Sequence, residues 1–305
     1  MNKYISLLRV QNLLIVSVLM SILYYGLILP KFSYEGIGSV FNQVQYPLFM
    51  LITLIITGSA YIINDIFDIS SDKINKPQKA LIGNSISIKN AYRFYFILLF
   101  SGLVLSLWIA ISINKFHYIF LYIFPVTFLY FYSRFFKKTF LAGNLLVSFF
   151  SMGVPAILII FEYNGIELLK NKNQENYSFL ISIFGAFMIF SFLMTLYREI
   201  IKDIEDIEGD KYLDANTIPL KMGVEAAKNI TGFLAVFIVF MIFYWMKMPI
   251  NNSMMKIYTL VAVILPLGYT VWLLKNANSK SDFHKISTLI KIIMLTGIGI
   301  LYFYL

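Results

Sequence analysis

Asn64-Asp65-Ile66-Phe67-Asp68-Ile69-Ser70-Ser71-Asp72 sets three carboxylates at spacings of three and four in a chain that is otherwise strongly apolar. On a helix, residues i, i+3 and i+7 share one face, so these charges point the same way. Like charges so placed repel. They are stable together when water solvates them or a cation sits among them, and a hard divalent ion with oxygen ligands is the natural occupant. The same comb recurs in Arg198-Glu199-Ile200-Ile201-Lys202-Asp203-Ile204-Glu205-Asp206-Ile207-Glu208-Gly209-Asp210, where Asp203, Asp206 and Asp210 stand 138 positions after Asp65, Asp68 and Asp72. A single comb is what a solvated helix end looks like; a constant offset makes coincidence the weaker account. Ten of the 16 acidic residues lie in these segments, three in the first and seven from Glu199 to Asp214. Acid is therefore concentrated, not spread as a solubilising coat.

The setting of the combs follows from composition. With 59% hydrophobic and 13% charged residues and a mean hydropathy of +0.75, the chain is a polytopic membrane protein, all-α. The net charge of +9 does not point to nucleic acid, because the lysines fall in short breaks between long apolar runs, where membrane topology accounts for them. With no cysteine, disulfides, thiol catalysis and thiolate metal sites are excluded. His117 and His284 are isolated in the sequence and read as polar trim at the membrane interface. Lys3 and Arg9 before an apolar run resemble a secretory signal, but the run is too long and lacks a small-residue cleavage site, so it reads as the first membrane helix.

Nine apolar segments are long enough to span, near 10–29, 46–64, 92–113, 117–133, 140–161, 178–197, 229–246, 257–274 and 286–305. With the amino terminus in the cytoplasm, 19 of the 25 lysines and arginines fall on the cytoplasmic side. Only Lys31, Lys115, Lys170, Lys172, Lys247 and Lys256 fall on the other. This positive-inside bias sets the orientation expected for a plasma-membrane protein and puts both combs on the cytoplasmic side, where they can share a central cavity. Residues 1–305 read as one transmembrane domain whose equal combs suggest two similar halves, roughly 1–160 and 161–305.

Two carboxylate triads without a nearby histidine, cysteine or nucleophile motif resemble equipment for holding Mg2+ against an anionic ligand. Magnesium prefers oxygen ligands and is commonly shared between protein carboxylates and substrate phosphates. The metal reverses the sign of a site that would otherwise repel phosphate. Basic residues nearby would complete the neutralisation: Lys73, Lys76 and Lys79 after the first comb, Arg198 and Lys202 before the second, and Arg134, Lys137 and Lys138 in the loop after the fourth span. Lys137 and Lys202 are the strongest candidates among them.

Asn64-Asp65-x-x-Asp68-x-x-x-Asp72 resembles the first signature of the UbiA superfamily of intramembrane prenyltransferases, and Asp203-x-x-Asp206-x-x-x-Asp210 resembles its second. Arg9-Val10-Gln11-Asn12 is similar to the family's Arg-Pro-x-Asn at the first helix. Tyr132-Ser133-Arg134-Phe135-Phe136-Lys137-Lys138 is similar to its Tyr-Ser-x-x-x-Lys-Arg loop, with Gly143-Asn144 following. Thr217-Ile218-Pro219-Leu220 with Gly223 resembles the Thr-Leu-Pro-x-x-x-Gly that closes the second motif. The chain departs from the family at Lys79-Ala80, where Arg-Pro is usual, and at Val10, where Pro is usual; a lysine meets phosphate as a point charge without arginine's bidentate fork.

The resemblance implies that Asp65, Asp68, Asp72, Asp203, Asp206 and Asp210 bind Mg2+ and act in catalysis. It also implies that Arg9, Asn12, Asn64, Lys79, Tyr132, Lys137, Arg198 and Lys202 contact the diphosphate or the acceptor. The partners so implied are a polyprenyl diphosphate, a lipophilic acceptor and membrane lipid. The second motif looks most like members that add a geranylgeranyl group to geranylgeranylglyceryl phosphate; an aromatic acceptor, as in quinone, haem or chlorophyll pathways, is the alternative. A transporter with acidic gates is the competing class. It would place ionisable groups near mid-membrane, and no predicted span carries an acid in its interior.

Overall fold

The computed structural model describes residues 3–77, 80–246 and 253–305. The only β pairing among them is an isolated bridge between Ile82 and Ile86. Among the described residues nine helices are long and apolar enough to cross a membrane: α1 (Val10–Tyr34), α2 (Gln45–Phe67), α3 (Ile88–Ser112), α4 (Phe116–Arg134), α5 (Ala142–Phe161), α6 (Gln174–Glu205), α7 (Val224–Trp245), α8 (Ser253–Asn276) and α9 (Lys280–Tyr304). All nine expected spans are present. Several helices outrun their apolar stretch, α6 by two turns at its carboxyl end and α9 by nearly two at its start. Hydropathy marks only what lipid must cover, whereas a helix continues as long as its backbone hydrogen bonds do. Asp65 and Asp203 consequently sit on helix, beyond the apolar run.

The chain forms two compact units, one of Met1–Lys137 with Ile157–Ser178, the other of Lys138–Ala156 with Phe179–Leu305. In the first, α2 packs against α3 and α4. Gly102 of α3 lets α4 come close, since a Cβ there would meet the Tyr122 ring at 2.8 Å, and the Tyr122 hydroxyl donates to the Leu99 carbonyl at 2.6 Å. Beneath the first comb lies a cluster of Leu7, Ile62, Ile63, Ile66, Ile82, Ile86, Ala91 and Tyr95. Ile62, Ile63 and Ile66 recur at helical spacing, so burying them turns Asp65 and Asp68 to the opposite side.

In the second unit Tyr197, Ile200, Ile201 and Ile204 do the same for α6. All four are buried with residues of α7, α8 and α9, including Ala235, Leu267 and Ile290. Tyr197 and Thr270 join α6 to α8 by a hydroxyl–hydroxyl bond of 2.8 Å. Between helices in lipid such polar contacts and close packing, more than water exclusion, supply the cohesion.

Both units begin their comb-bearing helix pair alike. Arg9 (φ 52°) precedes α1 and Leu141 (φ 58°) precedes α5, each in the left-handed region that disfavours side chains. Asn12 and Asn144 follow three residues later. Two stretches of wider π winding, Ile22–Ile28 in α1 and Leu260–Ile264 in α8, were not legible from hydropathy. The first carries Tyr24, stacked on Tyr46 with ring centres 3.6 Å apart.

Away from the combs, Glu162 is 1% exposed at the end of α5. It accepts from the Ser39 hydroxyl at 2.5 Å and the Val40 amide at 3.1 Å, fixing the loop between α1 and α2. Burial raises its carboxyl above the ordinary glutamate range, so the folded chain holds this proton more tightly than the unfolded one. The resulting contribution to stability is complete at acid pH and is lost as pH rises through the raised value. Glu162→Ala, which strips two donors of their acceptor, should lower stability by about 2 kcal/mol in detergent-solubilised thermal unfolding. Glu162→Gln should flatten this part of the pH–stability curve.

Candidate active site

The first comb does not lie on one uninterrupted helix. α2 ends at Phe67, Asp68 takes φ −88° and ψ 0°, and a short helix, Ile69–Asn75, follows. The Ser71 hydroxyl bonds the Asp68 carbonyl at 3.1 Å, a local competition with the helical ladder at the joint. Hydrogen bonds from Asp68 N to Asn64 O (2.9 Å) and from Asp72 N to Asp68 O (2.8 Å) still bridge it. Helical spacing survives the joint. The second comb repeats this: α6 ends at Glu205, Asp206 takes φ −101° and ψ 12°, and Ile207–Tyr212 follows. Asp206 N reaches Lys202 O at 2.8 Å and Asp210 N reaches Asp206 O at 3.1 Å. In both, the middle aspartate is the joint.

Around the first comb the structure gathers residues from three separate stretches. Arg9 donates to Asp65 Oδ1 at 2.5 Å and lies over the Tyr61 ring, 4.8 Å from its centre. Asn12 donates to the Tyr61 hydroxyl at 3.2 Å. Lys137, in the 3₁₀ turn Phe136–Lys138, forms an ion pair with Asp68 Oδ2, and the Asn64 amide donates to the same oxygen at 2.8 Å. Burial, followed by the Asp68 charge, raises the Asp72 carboxyl above the ordinary aspartate range. For Arg9, burial opposes the charge, but Asp65 and its hydrogen bond outweigh that and raise the guanidinium above its usual value. Tyr132 lies half-buried in the last turn of α4. Lys79 lies outside the described residues.

The second comb is dressed differently. Asn144, buried on α5, donates to Asp203 Oδ2 at 2.7 Å. Arg198 and Lys202 both bond Glu199, at 3.1 and 3.0 Å. The loop after it is tied by a 2.8 Å bond from Asn216 N to Lys138 O. Glu205 is held by His284 at 2.8 Å, so His284 is a partner of this motif and not interfacial trim. Neither Asn144 nor His284 stood among the candidates. Asn144 had a signal in its companion motif, whereas His284 had none, because its partner is 79 residues away.

Among the described residues no three His, Cys, Asp or Glu side chains already form a metal cage. This suits magnesium, which is usually held by one or two carboxylates together with substrate phosphates and water. The donor set fits: the Asn64 Oδ1 atom is buried and finds no hydrogen-bond partner among the described residues. A neutral oxygen left over beside two carboxylates is the kind of ligand a hard cation takes.

The UbiA prenyltransferase family model matches residues 34–294. The chain belongs to the UbiA prenyltransferase family. Among its relatives is the digeranylgeranylglyceryl phosphate synthase of Methanosphaera stadtmanae, 30% identical over 300 residues, covering 97% of this chain and 96% of that protein. The synthase of the same name from Methanocaldococcus jannaschii is 30% identical over 298 residues, covering 96% and 93%. A solved structure described for digeranylgeranylglyceryl phosphate synthase in membranes is 27% identical, with a TM-score of 0.60 over 97% of this chain and 96% of that one. A UbiA homologue from Archaeoglobus fulgidus bound to GPP and Mg2+ shares the fold at 16% identity, with a TM-score of 0.57 over 99% and 100% of the chains. This UbiA protein is thus a prenyltransferase and an integral membrane protein.

Replacing Asn144 by Ala leaves Asp203 Oδ2 without its buried donor. Prenyl transfer in isolated membranes should fall by about 10- to 100-fold at unchanged protein level if Asp203 serves the reaction, the range typical for loss of an outer partner of a metal-held group.

Proposed function

We propose that this UbiA protein transfers a polyprenyl group, geranylgeranyl in the first instance, from its diphosphate to a lipophilic acceptor, geranylgeranylglyceryl phosphate, in a magnesium-dependent step of lipid synthesis. The observation that carries the chemistry is the pair of matched aspartate joints, each with a side-chain amide bonded to one of its carboxylates. The donor and acceptor follow the named activity of relatives that match nearly the whole chain, and the diphosphate and metal follow the ligands of the Archaeoglobus homologue.

In this reading Asp65, Asp68, Asp72 and Asn64 Oδ1 on one comb, and Asp203, Asp206 and Asp210 on the other, are the oxygen ligands. Bound Mg2+ supplies a positive field that stabilises charge building on the diphosphate as it leaves. The allylic C–O bond breaks with its electron pair going to the diphosphate, a hydroxyl oxygen of the acceptor bonds the allylic carbon, and the hydroxyl proton is released. Arg9, Lys137, Lys79, Arg198 and Lys202 add fixed cationic charge near the diphosphate, and Asn12 and Tyr132 contact the substrates. Lys137 neutralises Asp68, and an arriving diphosphate competes for the same ammonium. The amide bonds of Asn64 and Asn144 hold their carboxylates in one rotamer, so less reorganisation is left to the moment of reaction.

Purified protein given labelled geranylgeranyl diphosphate and a panel of glyceryl-phosphate lipids and hydroxylated aromatics should yield a product mass matching the glyceryl-phosphate ether. EDTA should stop it and added Mg2+ restore it. Asp68→Asn and Asp206→Asn should each cut turnover by roughly 10³-fold, the scale of several kcal/mol of lost metal stabilisation. Full turnover in either variant sinks the ligand assignment, and a product only with the aromatics sinks the acceptor.

We further propose that the protein resides in the plasma membrane with its amino terminus and both combs cytoplasmic, on the strength of the lysine and arginine bias. The chain has no cysteine, so single introduced cysteines report topology cleanly. An impermeant maleimide on intact cells should label Lys172→Cys and leave Lys73→Cys unlabelled until the membrane is opened.

A further inference from the structure

Among the carboxylates of the second motif only Glu205 is buried, 7% exposed. It is the last residue of α6 and the immediate neighbour of Asp206. Both its oxygens are engaged from α9: His284 Nδ1 lies 2.8 Å from Oε1 and the Ser287 hydroxyl donates to Oε2 at 3.3 Å. In the Nδ1–H tautomer the ring donates to this oxygen. One turn earlier on α9, Lys280 Nζ stands 4.0 Å from Asp206 Oδ1. On α6, Arg198 Nε donates to the Ser287 carbonyl at 3.3 Å. Lys280, His284 and Ser287 follow one another at i, i+4 and i+7, a single stripe of α9. The start of that helix is itself fixed by a capping box between Ser279 and Asp282.

We infer that this stripe is a clamp: His284 and Ser287, through Glu205, set where α6 ends, and thereby where Asp206 is presented to magnesium. His284 is then a positioning residue for the prenyl-transfer reaction. The inference rests on the proposal that Asp206 is a magnesium ligand. The physical basis is the cost of leaving Glu205 buried without its donors, which the chain avoids by turning the carboxylate towards water. Glu205 and Asp206 share a peptide bond, and Asp206 sits where regular helix winding has already lapsed. A swing of Glu205 therefore shifts the ligand, opposed by the two backbone hydrogen bonds at the joint. The His284 side chain is 56% exposed, so removing it opens no core cavity and the fold should tolerate the change.

The test uses full-length protein in detergent with inorganic diphosphate, and Mn2+ as a paramagnetic stand-in for magnesium, its binding read by electron paramagnetic resonance. His284→Ala should weaken Mn2+ binding roughly tenfold, as loss of an outer partner usually does, and raise the magnesium needed for half-maximal turnover in parallel. The KM for the acceptor should stay as in the wild type. His284→Asn, whose amide can stand where Nδ1 does, should recover most of the loss. Wild-type Mn2+ affinity in His284→Ala, or no recovery in His284→Asn, overturns the clamp. An Asp206→Asn control separates the two levels: if it too binds Mn2+ normally, the magnesium reading fails and the clamp with it, whereas if it loses Mn2+ while His284→Ala keeps it, only the clamp fails.

Discussion

Mutual repulsion of carboxylates crowded at the end of a membrane helix is the constraint that shapes this protein. Three aspartates within two turns, next to lipid, cannot all keep their charge unless something positive or hydrogen-bonding meets them. The first comb draws Arg9 from the start of α1 and Lys137 from beyond α4. These contacts bring distant stretches of the first unit to one place. Pairing at this site is thus a folding constraint in its own right.

The second comb meets the same constraint with different partners, Lys280 standing 4.0 Å from Asp206. Asp203 is held by a neutral amide, while Arg198 and Lys202 are bonded to Glu199 and His284 to Glu205. The two combs share a backbone plan, in which the middle aspartate interrupts the helix and a short helix carries the third. Their side-chain environments have diverged. A left-handed residue three positions before Asn12 and before Asn144 is a further feature that the two share.

Much of the architecture was readable in one dimension because lipid imposes one-dimensional rules. A span needs a certain length of apolar residues, and every backbone group in it must be bonded within the helix. Nine runs therefore gave nine spanning helices among the described residues. The polar ends escaped this logic. Nothing in hydropathy tells α6 to continue to Glu205, or marks the π turns around Tyr24 and Val263, because these depend on neighbouring helices and not on lipid.

The order and spacing of residues by themselves determined the fold class, the number of spans and the existence of two equal acidic combs, since each is a matter of periodicity along one chain. Which side chains answer those acids was decided only in three dimensions. Lys137 stands 69 positions from Asp68, Asn144 stands 59 from Asp203, and His284 stands 79 from Glu205. A charge selects its partner by distance through space, and that distance is set by how helices pack and not by separation along the chain.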